Sequence, residues 1–371
     1  MIELGREQIL AFRLERQLLT ARAPASSIVD VARALCGVHA QLVSSAELAL
    51  WARVEGLEQG EVRKAVEVER TLVKTWAMRG TLHLLPAEDL ALYVAVLRGP
   101  WEHPQGAWLR GHGVTRAQFE AIVENVPRIL DGRPRTREWL ADRLGEHAGA
   151  DVRERVLSGW GALLKPSARR GDLCFGPNRG RNVTFVRPDR WLRRPLHADP
   201  AEAEREVVRR FLAAYGPSSA EDFTRWLGFR GTAMKRLLRA MEGELLEVDV
   251  LGKVAWIRAE DLEVLQSAGR PRGVRLLPAF DPYVVGSRPR ASLVASEHEP
   301  RVFRPQGWIS PVVVVEGGIA GVWSHERRGR SVRVTVESFQ ELRPRARKAL
   351  FDEVERLASF LGAAPELELA T

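Results

Sequence analysis

Cysteine is close to absent from this 371-residue chain, with Cys36 and Cys174 the only two. Two thiols exclude both a disulfide framework and a four-cysteine zinc site. Long apolar runs are missing as well, and no stretch approaches the roughly 18 unbroken apolar residues of a membrane span. The opening MIELGREQILAFRLERQ carries charges where a signal peptide needs an apolar core. Several catalytic signatures are also lacking. No Walker glycine loop runs into a Lys-Ser/Thr pair, and GPNRGRN lacks the strand–helix setting of a dinucleotide fingerprint. There is no serine nucleophile elbow, and no Gly-Pro-Gly hairpin leads to a catalytic lysine or aspartate. His103 and His112 come without the cysteines or carboxylates of a zinc pattern. A cytoplasmic monomer is expected, with no membrane partner, no metal and no cofactor.

What is present is charge. The chain carries +8, with a sequence pI near 10.0, on an ordinary globular background of 45% hydrophobic and 28% charged residues. Its length is ample for several buried cores. Arginine outnumbers lysine 50 to 6. Codon usage in a GC-rich genome inflates arginine everywhere, but it scatters it. Here nine basic residues between Lys165 and Arg194 face only Asp172 and Asp189, and eight between Arg327 and Lys348 face only Glu337 and Glu341. Clustered bidentate cations favour a nucleic-acid partner.

The first region, 1–114, reads as helices with an extended insert. EQILAFRLERQLL repeats apolar residues at helical spacing (Ile9, Leu10, Phe12, Leu14, Leu18), and Ser26 and Ser27 are candidate caps for a helix through Val31 and Leu35. SAELALWARV and EVRKAVEVERTLVKTW read as short helices, TLHLL alternates like a strand, and AEDLALYVAVL is helical again. In 115–197, TRAQFEAIVENVPRIL, TREWLADRLG and RERVLSGWGALLK are three helices followed by a DLCFG/VTFV hairpin around PNRGRN. The order recurs in 198–272. AEAEREVVRRFLAAYG, SSAEDFTRWLG (a capping box from Ser218 toward Glu221) and GTAMKRLLRAMEG precede a hairpin turning at Leu251–Gly252–Lys253. Three helices and a hairpin, twice in series, is the order of a winged helix-turn-helix. From Gly273 short strands separated by Gly, Pro and charged turns suit a small antiparallel barrel or curled sheet, with Gly317–Gly318 as a hairpin turn. A closing helix, RARKALFDEVERLASFLG, stripes Leu350, Val354, Leu357 and Phe360. Trp76, Trp139, Trp160 and Trp226 fall at helical core spacings and read as packing.

Six segments in order, GVHAQL at 37–42, MRGTLHLLPAEDL at 78–90, LCFGPNRGRNVTFV at 173–186, YGPSSAEDFTRWLGF at 215–229, LLPAFDPYVVG at 276–286 and GWISPVVVVEGGIAGVW at 307–323, carry a resemblance that covers nearly the whole sequence. It is to the tandem winged-helix DNA glycosylase family of AlkZ and YcaQ. The resemblance implies an α+β chain of three tandem winged-helix units and a C-terminal antiparallel β-barrel, 273–371. It also implies a C-shape with DNA in a basic channel, and excision of alkylated bases and interstrand crosslinks. The family's catalytic triplet is glutamine–x–glutamine or glutamine–x–aspartate. The matching triplet is His39–Ala40–Gln41, which keeps the second glutamine and has histidine first.

The chemistry suits those residue types. An N3- or N7-alkylated purine is cationic and departs without a strong general acid. The protein has to place a water at the anomeric carbon and stabilise developing positive charge, which a carboxamide oxygen does. An imidazole, with a reference pKa of about 6.5, accepts the water's proton at neutral pH. Residues two apart share a side on an extended backbone but diverge on a helix, so a non-helical Val38–Leu42 is expected. Gln41 is then the water-orienting group, and His39 is the base, a phosphate contact, or a residue satisfying a loop carbonyl.

Arg79, Thr81 and His83 alternate on the TLHLL strand, facing DNA together or buttressing the triplet. Arg179, Arg181 and Asn182 sit at a wing tip suited to phosphate contact or groove insertion, or are a solvated loop. Arg288 and Arg290, with Arg301 and Arg304 beyond, are candidate channel residues, and Asp281 reads as a turn residue or a supporting acid. Together these readings give a monofunctional DNA glycosylase acting on alkylated purines in double-stranded DNA, without a Schiff-base lyase step. A non-catalytic DNA-binding regulator or architectural protein is the alternative.

Overall fold

The computed structural model describes residues 2–99, 106–158, 161–228 and 232–370. Trp160, His103 and the final Phe229 of the 215–229 segment lie outside the described residues. The chain forms a mixed α+β fold in two compact units, Met1–Val62 with Val208–Thr371, and Arg63–Val207. No helix among the described residues is long and apolar enough to cross a membrane.

In the first unit the helix Arg6–Arg16 buries Ile9, Leu10, Phe12 and Leu14, as its apolar spacing requires. It packs on a sheet in which Ile2–Leu4 runs parallel to Leu245–Val250, itself antiparallel to Lys253–Arg258. The core there joins Leu4, Ile9, Phe12, Val248, Ile257 and Leu265. Three residues are too few to show a strand period, so Ile2–Leu4 is invisible in the sequence. The helix Ile28–Ala34 starts where expected, but Ser27 makes no side-chain cap bond; a 3₁₀ turn, Ala25–Ser27, leads into it instead. The helix Ala220–Leu227 is capped one residue later than the sequence suggested. Ser219 and Asp222 form the reciprocal box, while the Ser218 hydroxyl donates to the Tyr215 carbonyl. Its Phe223 and Trp226 pack on Phe211 and Tyr215, and the Tyr215 ring lies so close to Gly286 that a Cβ there would overlap it.

The C-terminal region is an open five-stranded sheet, and among the described residues the expected closed antiparallel barrel is not found. Its strands run in the order Val274–Leu277, Val312–Val315, Gly318–Arg328, Ser331–Ser338 and Ala364–Ala370. The last pair is parallel, because the helix Pro344–Phe360 is the crossover that connects them. That helix contacts both edge strands and buries Leu350, Val354 and Leu357, so it fills the gap a barrel would close. Phe360 is only half-buried. Within the stretch from Gly273 expected to hold only short strands, PYVVG is instead a short helix, Pro282–Gly286, and ASLVA begins in a 3₁₀ turn, Arg290–Ser292.

The second unit is built on Trp76, Phe119, Ile122, Leu140, Leu144, Leu164, Phe175 and Phe185. Helices Arg116–Ile129 and Arg137–Ala148 are capped by the hydroxyls of Thr115 and Thr136. The stretch EVRKAVEVERTLVKTW, expected to be helical throughout, splits into a helix Glu61–Glu67 and a strand Leu72–Trp76. The strand exists because Leu82–Pro86 pairs with it. RERVLSGWGALLK is likewise not one helix. Ala150–Ser158 stops before Gly161, whose left-handed φ of +78° and closeness to the Trp76 ring admit no other residue, and Lys165–Arg169 starts afresh. The hairpin Cys174–Arg179 and Asn182–Val186 turns at Gly180, as expected, with Arg135–Thr136 as its third strand.

Candidate active site

The triplet lies in the first unit. The helix Ile28–Ala34 is closed by Cys36 and Gly37, both left-handed, with the Gly37 N–H donating back to the Ala32 carbonyl. That turn releases the chain into the strand Val38–His39, a bend at Gln41 and an extended Leu42 before the helix Val43–Trp51. The backbone from Val38 to Leu42 is non-helical. The two side chains nevertheless differ in exposure, because the bend at Gln41 interrupts the alternation. His39 is buried at 8%, whereas Gln41 faces solvent with Leu42, Val43 and Ser44.

His39 is held by a ring stack. Phe280 lies parallel to the imidazole, centroids 4.8 Å apart at 14°. Phe280 occupies a left-handed backbone position, φ +59°, which is costly for a side chain of this size and has to be enforced from outside. The next residue supplies the force. Asp281 is fully buried and takes both terminal nitrogens of Arg53, itself fully buried, at 2.8 Å each. It also accepts from the Tyr283 N–H, capping Pro282–Gly286. Arg53 gives two further N–H groups to the carbonyls of Gln17 and Ala49. Asp281 is therefore the turn residue, capping Pro282–Gly286, and the carboxylate partner of Arg53, one residue from the ring stacked on His39. Phe280 and Arg53 were missed.

Two of the candidate arginines sit further along the same segment. Arg13, fully buried, donates to the carbonyls of Gly216, Pro217 and Arg288, and burial pulls its pKa down to about 10. It thereby fixes the backbone at Arg288. The Arg288 guanidinium is only half-buried. Burial first, then the neighbouring charges of Arg290 and Arg225, lower its pKa to about 10, against the opposing pull of Asp222 and Glu299. It remains charged at neutral pH. Arg290 lays its guanidinium 3.8 Å over the Phe303 ring. Arg225, on the helix Ala220–Leu227, was not foreseen as a third member. Arg301 is committed to Glu337 at 2.6 Å, and Arg304 is exposed.

The remaining candidates belong to the second unit. Arg79 is not on the strand. It sits in the turn Met78–Gly80 at φ +56°, half-exposed, so the expected alternation of Arg79, Thr81 and His83 fails. The Thr81 hydroxyl donates to the Met78 carbonyl, and His83, 3% exposed, bonds through Nδ1 with the Thr81 carbonyl at 3.0 Å. Both polar groups shape the turn. Beneath it lie two cations that sequence reasoning counted but did not select. A Cβ on Gly80 would meet Arg169 Nη2 at 3.0 Å and Lys165 Cδ at 3.8 Å. Burial lowers both pKa values, that of Arg169 to about 10. Arg179, Arg181 and Asn182 are all exposed at the hairpin tip. An open cleft of about 660 Å³ in this unit is lined by Arg128, Arg170, Arg187 and Arg190 with Glu124 and Asp131, and no candidate residue lines it.

Trp76 and Trp226 are buried packing residues, Trp226 on a helix but Trp76 at the end of the strand Leu72–Trp76 instead of at a helical position, while Trp139 is half-buried beneath Arg135, whose guanidinium lies 4.3 Å from its ring.

Comparison with known proteins bears on the whole chain. A family model described as DNA glycosylase AlkZ-like matches residues 32–360. An interstrand DNA cross-link repair glycosylase of Streptomyces sahachiroi is 41% identical over 328 residues, which is 85% of this chain and 86% of that relative. The solved structure of the S. sahachiroi DNA glycosylase AlkZ matches with a TM-score of 0.90 and 37% identity, covering 100% of both chains.

Proposed function

The chain belongs to the AlkZ-like DNA glycosylase family, and from that premise we propose that it hydrolyses the N-glycosidic bond of purines alkylated at N3 or N7 in double-stranded DNA, as a step of base excision repair. The observation that carries this reading is a held imidazole and a solvent-facing carboxamide two residues apart on one non-helical segment. In the reaction, Gln41 orients a water through its carboxamide oxygen and turns that dipole toward the sugar as positive charge develops. His39 accepts the water's proton, and the water oxygen bonds to the anomeric carbon. The bonding pair of the N-glycosidic bond passes to the base, neutralising its ring. Ring stacking limits the imidazole's orientations and so preserves its aim. No lysine is part of the triplet, which is compatible with hydrolysis without a lyase step.

The exposed run Gln41–Ser44 favours a site open enough for a bulky or tethered base, and crosslink unhooking is part of the proposal. We assign DNA backbone contacts to Arg288 and Arg290 with Arg225, to Arg79 and the adjoining turn, and to Arg179, Arg181 and Asn182. The blocks 115–197 and 198–272, each three helical segments and a hairpin, are read as winged-helix modules serving that grip. A duplex carrying 7-methylguanine tests the reading. Release of free base with an unbroken strand supports it. Tight, sequence-selective binding without release is the behaviour of a regulator and contradicts it.

A further inference from the structure

We propose that Trp308 is the platform on which the unstacked, alkylated base rests, and that it contributes preference for damaged over normal bases. This deepens the assignment of His39 and Gln41 and rests on that reading. Trp308 is 42% exposed, whereas the other tryptophans of its unit, Trp51, Trp226, Trp256 and Trp323, are buried. Its ring meets Phe280 edge-on, centroids 5.0 Å apart at 73°, and Phe280 is the ring that stacks on His39. The exposed indole is thus two ring contacts from the imidazole.

The loop that carries it is fastened. Phe303 bridges to Ile309, the Arg304 N–H donates to the Trp308 carbonyl at 2.8 Å, and the Ser310 N–H donates to the Val302 carbonyl at 2.9 Å. Within it Gln306 and Gly307 are both left-handed, at φ +59° and +77°. A fixed backbone that leaves an indole in water forgoes the gain of burying it, unless a ligand covers it.

The chemistry of the surroundings selects a nucleobase. Arg304 is exposed and Arg290 lies on Phe303 beside it, while Arg301 is paired with Glu337. Such a rim suits a polyanion. A base has a flat π face, and a purine alkylated at N3 or N7 also carries positive charge. Tryptophan is the side chain that attracts a stacked cation most strongly. The indole therefore gains more from the damaged base than from its neutral parent.

The experiment separates binding from excision. In a His39→Ala, Gln41→Ala background, affinities are measured for a duplex with one 7-methylguanine and for the undamaged duplex, with Trp308 intact, Trp308→Phe and Trp308→Leu. Trp308→Leu is expected to cut the preference for the damaged duplex about tenfold, in line with base-stacking contributions. Trp308→Phe should retain most of it, and affinity for undamaged DNA should not move. A leucine variant that keeps the preference, an equal loss on both duplexes, or no preference to lose overturns the proposal. Excision by the parental protein is scored separately. A Trp308-dependent preference without base release would remove the hydrolytic reading and leave the platform standing. Base release with a preference indifferent to Trp308 would do the reverse.

Discussion

The surroundings of His39 and the tip of the Cys174–Val186 hairpin hold their polar groups in opposite ways. His39 is stacked on a strained phenylalanine whose neighbour closes a fully buried ion pair. Arg179, Arg181 and Asn182 stand exposed on a tight turn. A group that must meet one atom of a sugar needs its rotamer fixed from below. A group that meets a repeating phosphate lattice gains from reach and from desolvating little. The contrast teaches that a cation in this protein is not one kind of residue: Arg53 and Arg13 are spent inside on carbonyls and a carboxylate, and the DNA contacts proposed above fall to arginines that are exposed or half-buried.

The largest expected effect tests the rigid side of that contrast. Asp281→Ala leaves Arg53 charged, buried and without its carboxylate, a loss of about 3–5 kcal/mol. Urea unfolding measures it, and a loss below about 1 kcal/mol would show that the pair does not hold the Phe280 segment. Next comes the exposed side. Arg179→Ala with Arg181→Ala should weaken binding to undamaged duplex and flatten the slope of log affinity against log salt by about one unit per arginine. The excision rate at saturating DNA should stay as it was; a fall in that rate would mean the tip takes part in aligning the sugar. Ser219→Ala removes one cap bond from Ala220–Leu227 and should cost about 1 kcal/mol. Thermal unfolding registers it, and a neutral substitution would return the cap to Ser218. The smallest expected effect is none. Both cysteines are buried and burial pushes the Cys174 thiol up, so iodoacetamide should modify neither in the folded protein and both in urea.

What the sequence made legible follows the range of the interactions. Helices with a regular apolar period and a threonine cap, such as Arg116–Ile129 and Arg137–Ala148, could be read locally. The strand Leu72–Trp76 could not, because its alternation follows a helix without a break and its reason for being extended is the pairing with Leu82–Pro86. The barrel failed for a similar reason: Ala364–Ala370 joins the sheet in parallel only because a helix carries the chain back across it.

At the candidate site, His39 and Gln41 were reached through a family resemblance, and residue chemistry then gave them roles. Their supports were beyond either route. Arg53 and Asp281 are 228 residues apart in the chain, and nothing in ALWARVEG or PAFDPY announces that one will find the other. Trp308 was passed over since a tryptophan in a sequence reads as core, and only its exposure shows otherwise.

The measurement closest to the central claim is single-turnover release of 7-methylguanine from duplex DNA by the parental protein, His39→Ala, Gln41→Ala and His39→Gln, each shown to be folded. Loss of the imidazole or the carboxamide should slow release by about 10²–10⁴-fold without weakening duplex binding. His39→Gln, which restores the residue the family's triplet carries, should recover part of the rate. Parental rates in both alanine variants would contradict the account.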